Sequence, residues 1–162
     1  MSTKNTRSSH TNASAVSDMD AYLGYWIRYV SNQVTTAFQQ RLAQLDTTVA
    51  EWLVLRFLLS HAPCSLTKLS TEMGIDKGGI SRLSDKLEKR GLIKRTTDAN
   101  DRRLYSVELT SAGARLVPKL AKLADENDEF FFGHLSKKKM DEMMSFLKDM
   151  VKRFEFDKKP VD

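Results

Sequence analysis

The stretch 65-SLTKLSTEMGIDKGGISRLSDKLEKRG-91 decides the fold. Leu66, Leu69 and Met73 stand at i, i+3 and i+7, one face of a short helix. Ser65 occupies an N-cap position, and Gly74 the place of a left-handed C-terminal cap. Asp76 can cap a second helix, whose Ile80, Leu83 and Leu87 share one face before Gly91 ends it. Two short helices joined by a turn of about three residues form a helix-turn-helix. Gly78 and Gly79 strain this reading, because each glycine inside a helix costs about 1 kcal/mol relative to alanine. A phosphate-cradling loop would need Lys after the second glycine, but Ile80 and Ser81 follow. A dinucleotide fingerprint would need a preceding strand, but an apolar helix pattern precedes. The pair therefore marks a helix that starts on bare backbone.

Working outward, the apolar period changes after Gly91. "LIKRTT" (92–97) and "LYSVELT" (104–110) alternate apolar and polar residues around the charged "DANDRR", which predicts a two-stranded hairpin. A helix-turn-helix followed by a hairpin is a winged helix. Upstream, Thr48 and Glu51 predict a capping box for a helix running to about Ser60, which Pro63 stops. Tyr22, Trp26, Tyr29, Val30, Val34, Phe38 and Leu42 predict a long helix from about Asp18 to Ala43. Downstream, Thr110 can cap a helix from about Ser111 to Phe132, with a kink and candidate hinge at Pro118. A last helix runs from about Ser136 to Phe154 and carries Met140, Met143, Met144, Leu147, Met150 and Val151.

The fold class is mainly α with a small β-wing. The expected organisation is a disordered tail (1–16), an N-terminal dimerisation helix (17–46), a winged helix-turn-helix domain (47–110), C-terminal dimerisation helices (111–155) and a tail (156–162). The outer helices carry more apolar surface than a winged-helix core can cover, so a homodimer is expected.

Charge is concentrated in one segment. Lys77 to Arg103 holds nine Lys/Arg against four Asp/Glu, an excess as large as the +5 of the whole chain. An anionic partner is implied. The single Cys64 excludes an intrachain disulfide. The start "MSTKNTRSSHTNASAV" lacks the apolar run of a secretory signal, and no stretch approaches the roughly 18 apolar residues of a membrane span. A cytoplasmic protein with no membrane association is expected. His10, His61 and His134 have no ligand spacing, and neither a nucleophile–base pair nor a cofactor loop is evident. No metal, no cofactor and no enzymatic activity are expected.

At about 100° per residue, Gly78, Ser81, Arg82, Asp85 and Lys89 lie opposite the apolar face of the second short helix. A recognition helix in a DNA major groove needs such a face, with its N-terminal residues nearest the bases. The unpaired N–H groups of its first turn can meet phosphate. Alanine at both Gly78 and Gly79 is therefore expected to stabilise the helix and weaken DNA binding. At the wing, Asp101 can hold one of Arg102 and Arg103, and an arginine there can enter a minor groove. Lys94 and Arg95 suit phosphates. The candidate DNA contacts are Ser65, Thr67, Lys68, Lys77, Gly78, Gly79, Ser81, Arg82, Lys86, Arg95, Asp101, Arg102 and Arg103.

Together these segments resemble the MarR family of bacterial transcription regulators. The resemblance is carried by "WLVLRFL", "LTKLSTEMGIDKGGISRLSDKLEKRGLIKR", "DRR", "LTSAG" and the N-terminal "YLGYWIRY", and spans about Met19 to Phe154. It implies a dimeric winged helix on a palindromic operator, usually a repressor relieved by a small molecule or an oxidant. By the same resemblance Ser81 and Arg82 fall on base-reading positions, Arg103 on a minor-groove arginine and Asp101 on its partner. The family usually has Ser, Thr or Pro where this chain has Gly78 and Gly79, which shifts the expected base contacts toward Lys77, Ser81 and Arg82.

Arg28 lies among Tyr25, Trp26 and Tyr29, where a cation can receive a small anionic aromatic effector such as a phenolic or cinnamic-type acid. Trp52 and Arg56 are candidates to complete that pocket. The alternatives are a regulator gated by oxidation of Cys64, and a winged helix that mediates protein interaction or dimerisation without DNA.

Overall fold

A computed structural model describes residues 17–97 and 105–154. The element order is a 3-10 turn (Met19–Ala21), α1 (Leu23–Ala43), α2 (Val49–His61), β1 (Cys64–Ser65), α3 (Leu66–Met73), α4 (Lys77–Lys89), β2 (Ile93–Thr97), β3 (Tyr105–Leu109), α5 (Ser111–Phe132) and α6 (Lys137–Arg153). The chain divides into two compact units between Gln33 and Val34. The two expected tails and the wing-tip residues Asp101, Arg102 and Arg103 lie outside the described residues.

In the first unit, the helix expected from about Asp18 starts instead as the 3-10 turn. Tyr22 is extended, and regular α-helix begins at Leu23. The Trp26 indole N–H donates to the Asp20 carbonyl at 2.8 Å, tying the turn to the helix. Met19, Tyr22, Leu23, Tyr25, Trp26, Ile27, Tyr29 and Val30 are all exposed.

The second unit is built from well-capped helices. The Thr48 Oγ1 accepts the Glu51 N–H while the Glu51 carboxylate accepts the Thr48 N–H, a complete capping box. Ser65, Asp76 and Thr110 cap α3, α4 and α5 in the same way, each accepting the N–H three residues on. Gly74 closes α3 at φ 68°, a conformation open to glycine without penalty. The turn to α4 is locked by the Ser70 hydroxyl, which donates to the Ile75 carbonyl at 2.7 Å.

The hairpin expected from the alternation is present, and a third strand joins it. The sheet order is β1-β3-β2, all antiparallel, with Cys64 opposite Val107 and Ile93 opposite Leu109. β1 has two residues, too few to show a period. The core gathers Leu42, Trp52, Val54, Leu55, Leu58, Leu69, Met73, Ile80, Leu87, Ile93, Val107, Val117 and Leu120. Each such fully buried aliphatic side chain contributes about 1.5–3 kcal/mol. Leu42 is fully buried there and Phe38 packs beside it, so the end of α1 belongs to this unit. α5 runs unbroken past Pro118. It approaches the α4–β2 connection closely: a Cβ at Gly113 would lie 2.0 Å from the Leu92 carbonyl oxygen. α6 buries none of its residues.

Candidate nucleic-acid interface

α4 buries Ile80, Ser84 and Leu87, and exposes Lys77, Gly78, Arg82, Lys86 and Lys89. Ser81 is half-buried. At the start of the helix the Asp76 carboxylate accepts the Gly79 N–H at 2.9 Å. That hydrogen bond, with a second from the Gly78 N–H and the nearby Arg82 charge, holds the Asp76 carboxyl below its ordinary range. The site expected to receive DNA phosphate is thus already occupied by an anion. The glycines have a packing reason instead. A Cβ on Gly79 would stand 2.6 Å from Ile75 Cγ2, and one on Gly78 3.2 Å from the Asp76 carboxylate. The expectation that alanine at both positions stabilises the helix leaves out this steric cost at Gly79.

The flank of α4 toward the wing is latched by Arg95. Its guanidinium donates to the Asp85 carboxylate and to the Ser81 carbonyl, and lies 3.5 Å from Glu88. Its backbone N–H also donates to Glu88. The side chain is only 20% exposed. Arg95 was expected to meet phosphate; the structure commits it to internal pairing with Asp85, whose side chain stays 48% exposed. Lys94 pairs with Glu108, its cross-strand neighbour. The alternation of β2 carried the signal: Arg95 shares a face with buried Ile93, so it points inward.

Glu51 anchors the opposite flank. It is fully buried at the start of α2, and Lys86 of α4 and Arg90, the residue that caps the end of that helix, each approach its Oε1 at 3.1 Å. Burial pushes the Glu51 carboxyl up, but the Thr48 N–H and the two cations outweigh it, and the net direction is down. Lys86, expected as a DNA contact, is engaged here. Asp46, Arg82, Asp85, Lys86, Lys89 and Arg90 line one open groove beside α4. Ser65, which caps α3, and Thr67 and Lys68 in its first turn are exposed, with the Lys68 ammonium 6.0 Å over the Phe57 ring.

This geometry has known counterparts. The MarR family model matches residues 47–105. Over 151 residues the chain is 28% identical to the HTH-type transcriptional repressor NicR of Pseudomonas putida, covering 93% of this chain and 96% of that one. The MepR–DNA complex of Staphylococcus aureus matches at TM-score 0.74 and 25% identity, over 82% of this chain and 98% of that one. BpsR of Bordetella bronchiseptica, solved in connection with regulation of its DNA binding by 6-hydroxynicotinic acid, matches at TM-score 0.74 and 25% identity, over 84% and 97%. The chain carries a MarR-family domain over residues 47–105. It is a winged-helix, DNA-binding transcriptional regulator, and its relatives are regulators rather than enzymes.

The expected effector residues divide between the two units of the chain. Tyr25, Trp26, Arg28 and Tyr29 are exposed on α1, the three rings clustered at centroid distances of 5.3–6.4 Å. Trp52 is a core residue, 8% exposed, placed by the apolar period of α2. Arg56 is exposed and donates to the Ser60 hydroxyl at 3.1 Å. A cavity of about 150 Å³, which the motifs did not reveal, is lined by Val34, Thr35, Phe38, Val49, Ala124, Asn127 and Asp128. Asn127 is buried, accepting from Arg41 and donating to the Val34 carbonyl. Burial and the Asp125 charge push the Asp128 carboxyl up. Cys64 is buried, and burial raises its thiol despite the Lys68 charge. A thiol held protonated is a poor oxidant target, which argues against the redox alternative. No described helix is long and apolar enough to cross a membrane.

Proposed function

We propose that the chain acts as a homodimeric repressor that holds a palindromic operator and releases it when a small aromatic effector binds. The observation that carries the DNA mode is the sorting of charge on α4. Lys86, Arg90 and Asp85 each have an ion-pair partner, while Arg82 and Lys89 are exposed on one helix face and Lys77 is exposed in the first turn. In this reading Arg82 and Ser81 meet base edges in the major groove, and Lys77 meets phosphate. Arg103, oriented by Asp101 and flanked by Arg102, enters the adjacent minor groove. Ser65, Thr67 and Lys68 at the start of α3 contact the backbone.

Dimerisation is supported by apolar surface that the protomer leaves open. Phe130, Met144, Phe146, Leu147, Val151 and Phe154 are each 44–70% exposed along α5, α6 and the residue that ends it. The N-terminal apolar residues are exposed as well. Apolar surface on this scale marks an association site. The name of NicR supports repression, and the response of BpsR to 6-hydroxynicotinic acid supports an aromatic acid as effector class. Arg28 among its aromatic neighbours is the proposed carboxylate anchor.

A second effector reading rests on the 150 Å³ cavity. That volume accepts a single aromatic ring, as a cavity of about 150 Å³ accepts benzene. Its polar wall, Thr35 and Asp128, suits a ring bearing a hydrogen-bond donor rather than a free carboxylate.

Two experiments test these proposals. Arg82→Ala and Arg103→Ala should each lower specific operator affinity, the former by about 1–3 kcal/mol with relaxed base preference. Unchanged affinity in both variants removes the DNA-contact assignment. A thermal-shift screen of aromatic acids against wild type, Arg28→Ala and Asp128→Asn separates the effector readings. Loss of the shift in Arg28→Ala alone supports the anion anchor, and loss in Asp128→Asn alone supports the cavity.

A further inference from the structure

Glu51 has no outlet to solvent, yet it controls two cations of the recognition helix. Its side chain is 1% exposed. One oxygen accepts the Thr48 N–H at 2.8 Å, and the other receives Lys86 Nζ and Arg90 Nη1, both at 3.1 Å. Arg90 also lies 3.8 Å from the exposed Asp46. A buried carboxylate releases its cations only at a large desolvation cost. The Lys86 side chain is 56% exposed and lines the same groove as Arg82 and Lys89, so position alone would suit it to phosphate. Its charge is nonetheless held inward.

We infer that Glu51 is a specificity-determining positioning residue: it withholds Lys86 and Arg90 from DNA phosphate and so keeps sequence-independent binding weak. Non-specific affinity grows with the number of phosphates a protein neutralises, whereas base reading does not. Holding two cations away from the backbone lowers binding to random DNA and leaves Arg82 free to discriminate. The inference rests on the DNA-binding mode proposed above.

The test is the salt dependence of full-length protein binding to a random-sequence duplex. Glu51→Gln retains an acceptor for the capping box but removes the charge. The slope of log K against log salt should steepen by about 0.9 for each cation freed. From about 200 to about 50 mM salt, affinity should then rise roughly 3.5-fold more than in wild type per cation freed. Adding Lys86→Met should take back about 0.9 of that slope. A merely structural role predicts weaker binding with an unchanged or shallower slope, and that result in folded Glu51→Gln overturns the inference. Should Glu51→Gln fail to fold, Lys86→Met in the wild-type background decides. A slope at the wild-type value supports the inference, and a loss of about 0.9 overturns it. Absence of any salt-dependent binding by wild type would remove the DNA-binding mode itself. A normal wild-type slope with an unmoved Glu51→Gln slope removes only the role of Glu51.

Discussion

Arg82 and Arg95 are both basic residues at the recognition helix, and the structure gives them opposite tasks. Arg82 is exposed; Arg95 is held by Asp85, Glu88 and the Ser81 carbonyl. Arg95→Ala should therefore cost stability, roughly 1–3 kcal/mol, because it strands two partly buried carboxylates and unfastens β2 from α4. A urea titration measures this, and a loss below about 0.5 kcal/mol would show the latch to be ornamental. Arg82 was legible from the helical wheel alone, because a short amphipathic helix has only one outward face. Arg95 was misassigned because charge near a wing suggested phosphate, although its register beside Ile93 pointed inward. Glu51 carried a similar signal, an acid on the same face as buried Leu55 and Leu58. Its partners lie 35 and 39 positions along the chain, and no local pattern reveals such a pairing.

Elements with local chemistry were the most legible. Thr48, Ser65, Asp76 and Thr110 all cap where the sequence places them, because capping depends on residues only three apart. The start of α1 was misplaced because a 3-10 turn and an extended Tyr22 share the apolar content of the helix they precede. β1 was missed because its pairing with β3 is a non-local event. The paired glycines show how local reasoning can mislead. Helix propensity alone favours alanine by about 1 kcal/mol. At position 79, however, the added methyl meets Ile75 Cγ2 at 2.6 Å, and overpacking costs about 1–3 kcal/mol. Gly79→Ala should therefore be less stable than wild type by on the order of 1 kcal/mol. Thermal melting checks this; a raised Tm would restore propensity as the controlling effect.

At the scale of the whole molecule, charge and apolar surface divide the labour. The winged helix turns surplus charge inward on both flanks of α4 and leaves a narrow basic face outward. α6 buries none of its residues, and its Met144, Phe146, Leu147 and Val151 are exposed. A two-fold dimer would cover them and fix the spacing of two recognition helices at about one turn of DNA, near 34 Å. An effector that prefers the wrong spacing by about 2.7 kcal/mol would weaken operator binding roughly 100-fold. Pro118, inside the helix that follows the wing, is the proposed hinge for such a change.

The most direct measurement is selection of bound sequences from a random duplex pool by the full-length protein, carried out in parallel with Arg82→Ala. Wild type should enrich an inverted repeat with half-site centres about 34 Å apart, and Arg82→Ala should lose base preference within each half-site. Enrichment of no sequence by wild type, or of the same sequence with equal discrimination by Arg82→Ala, would contradict it.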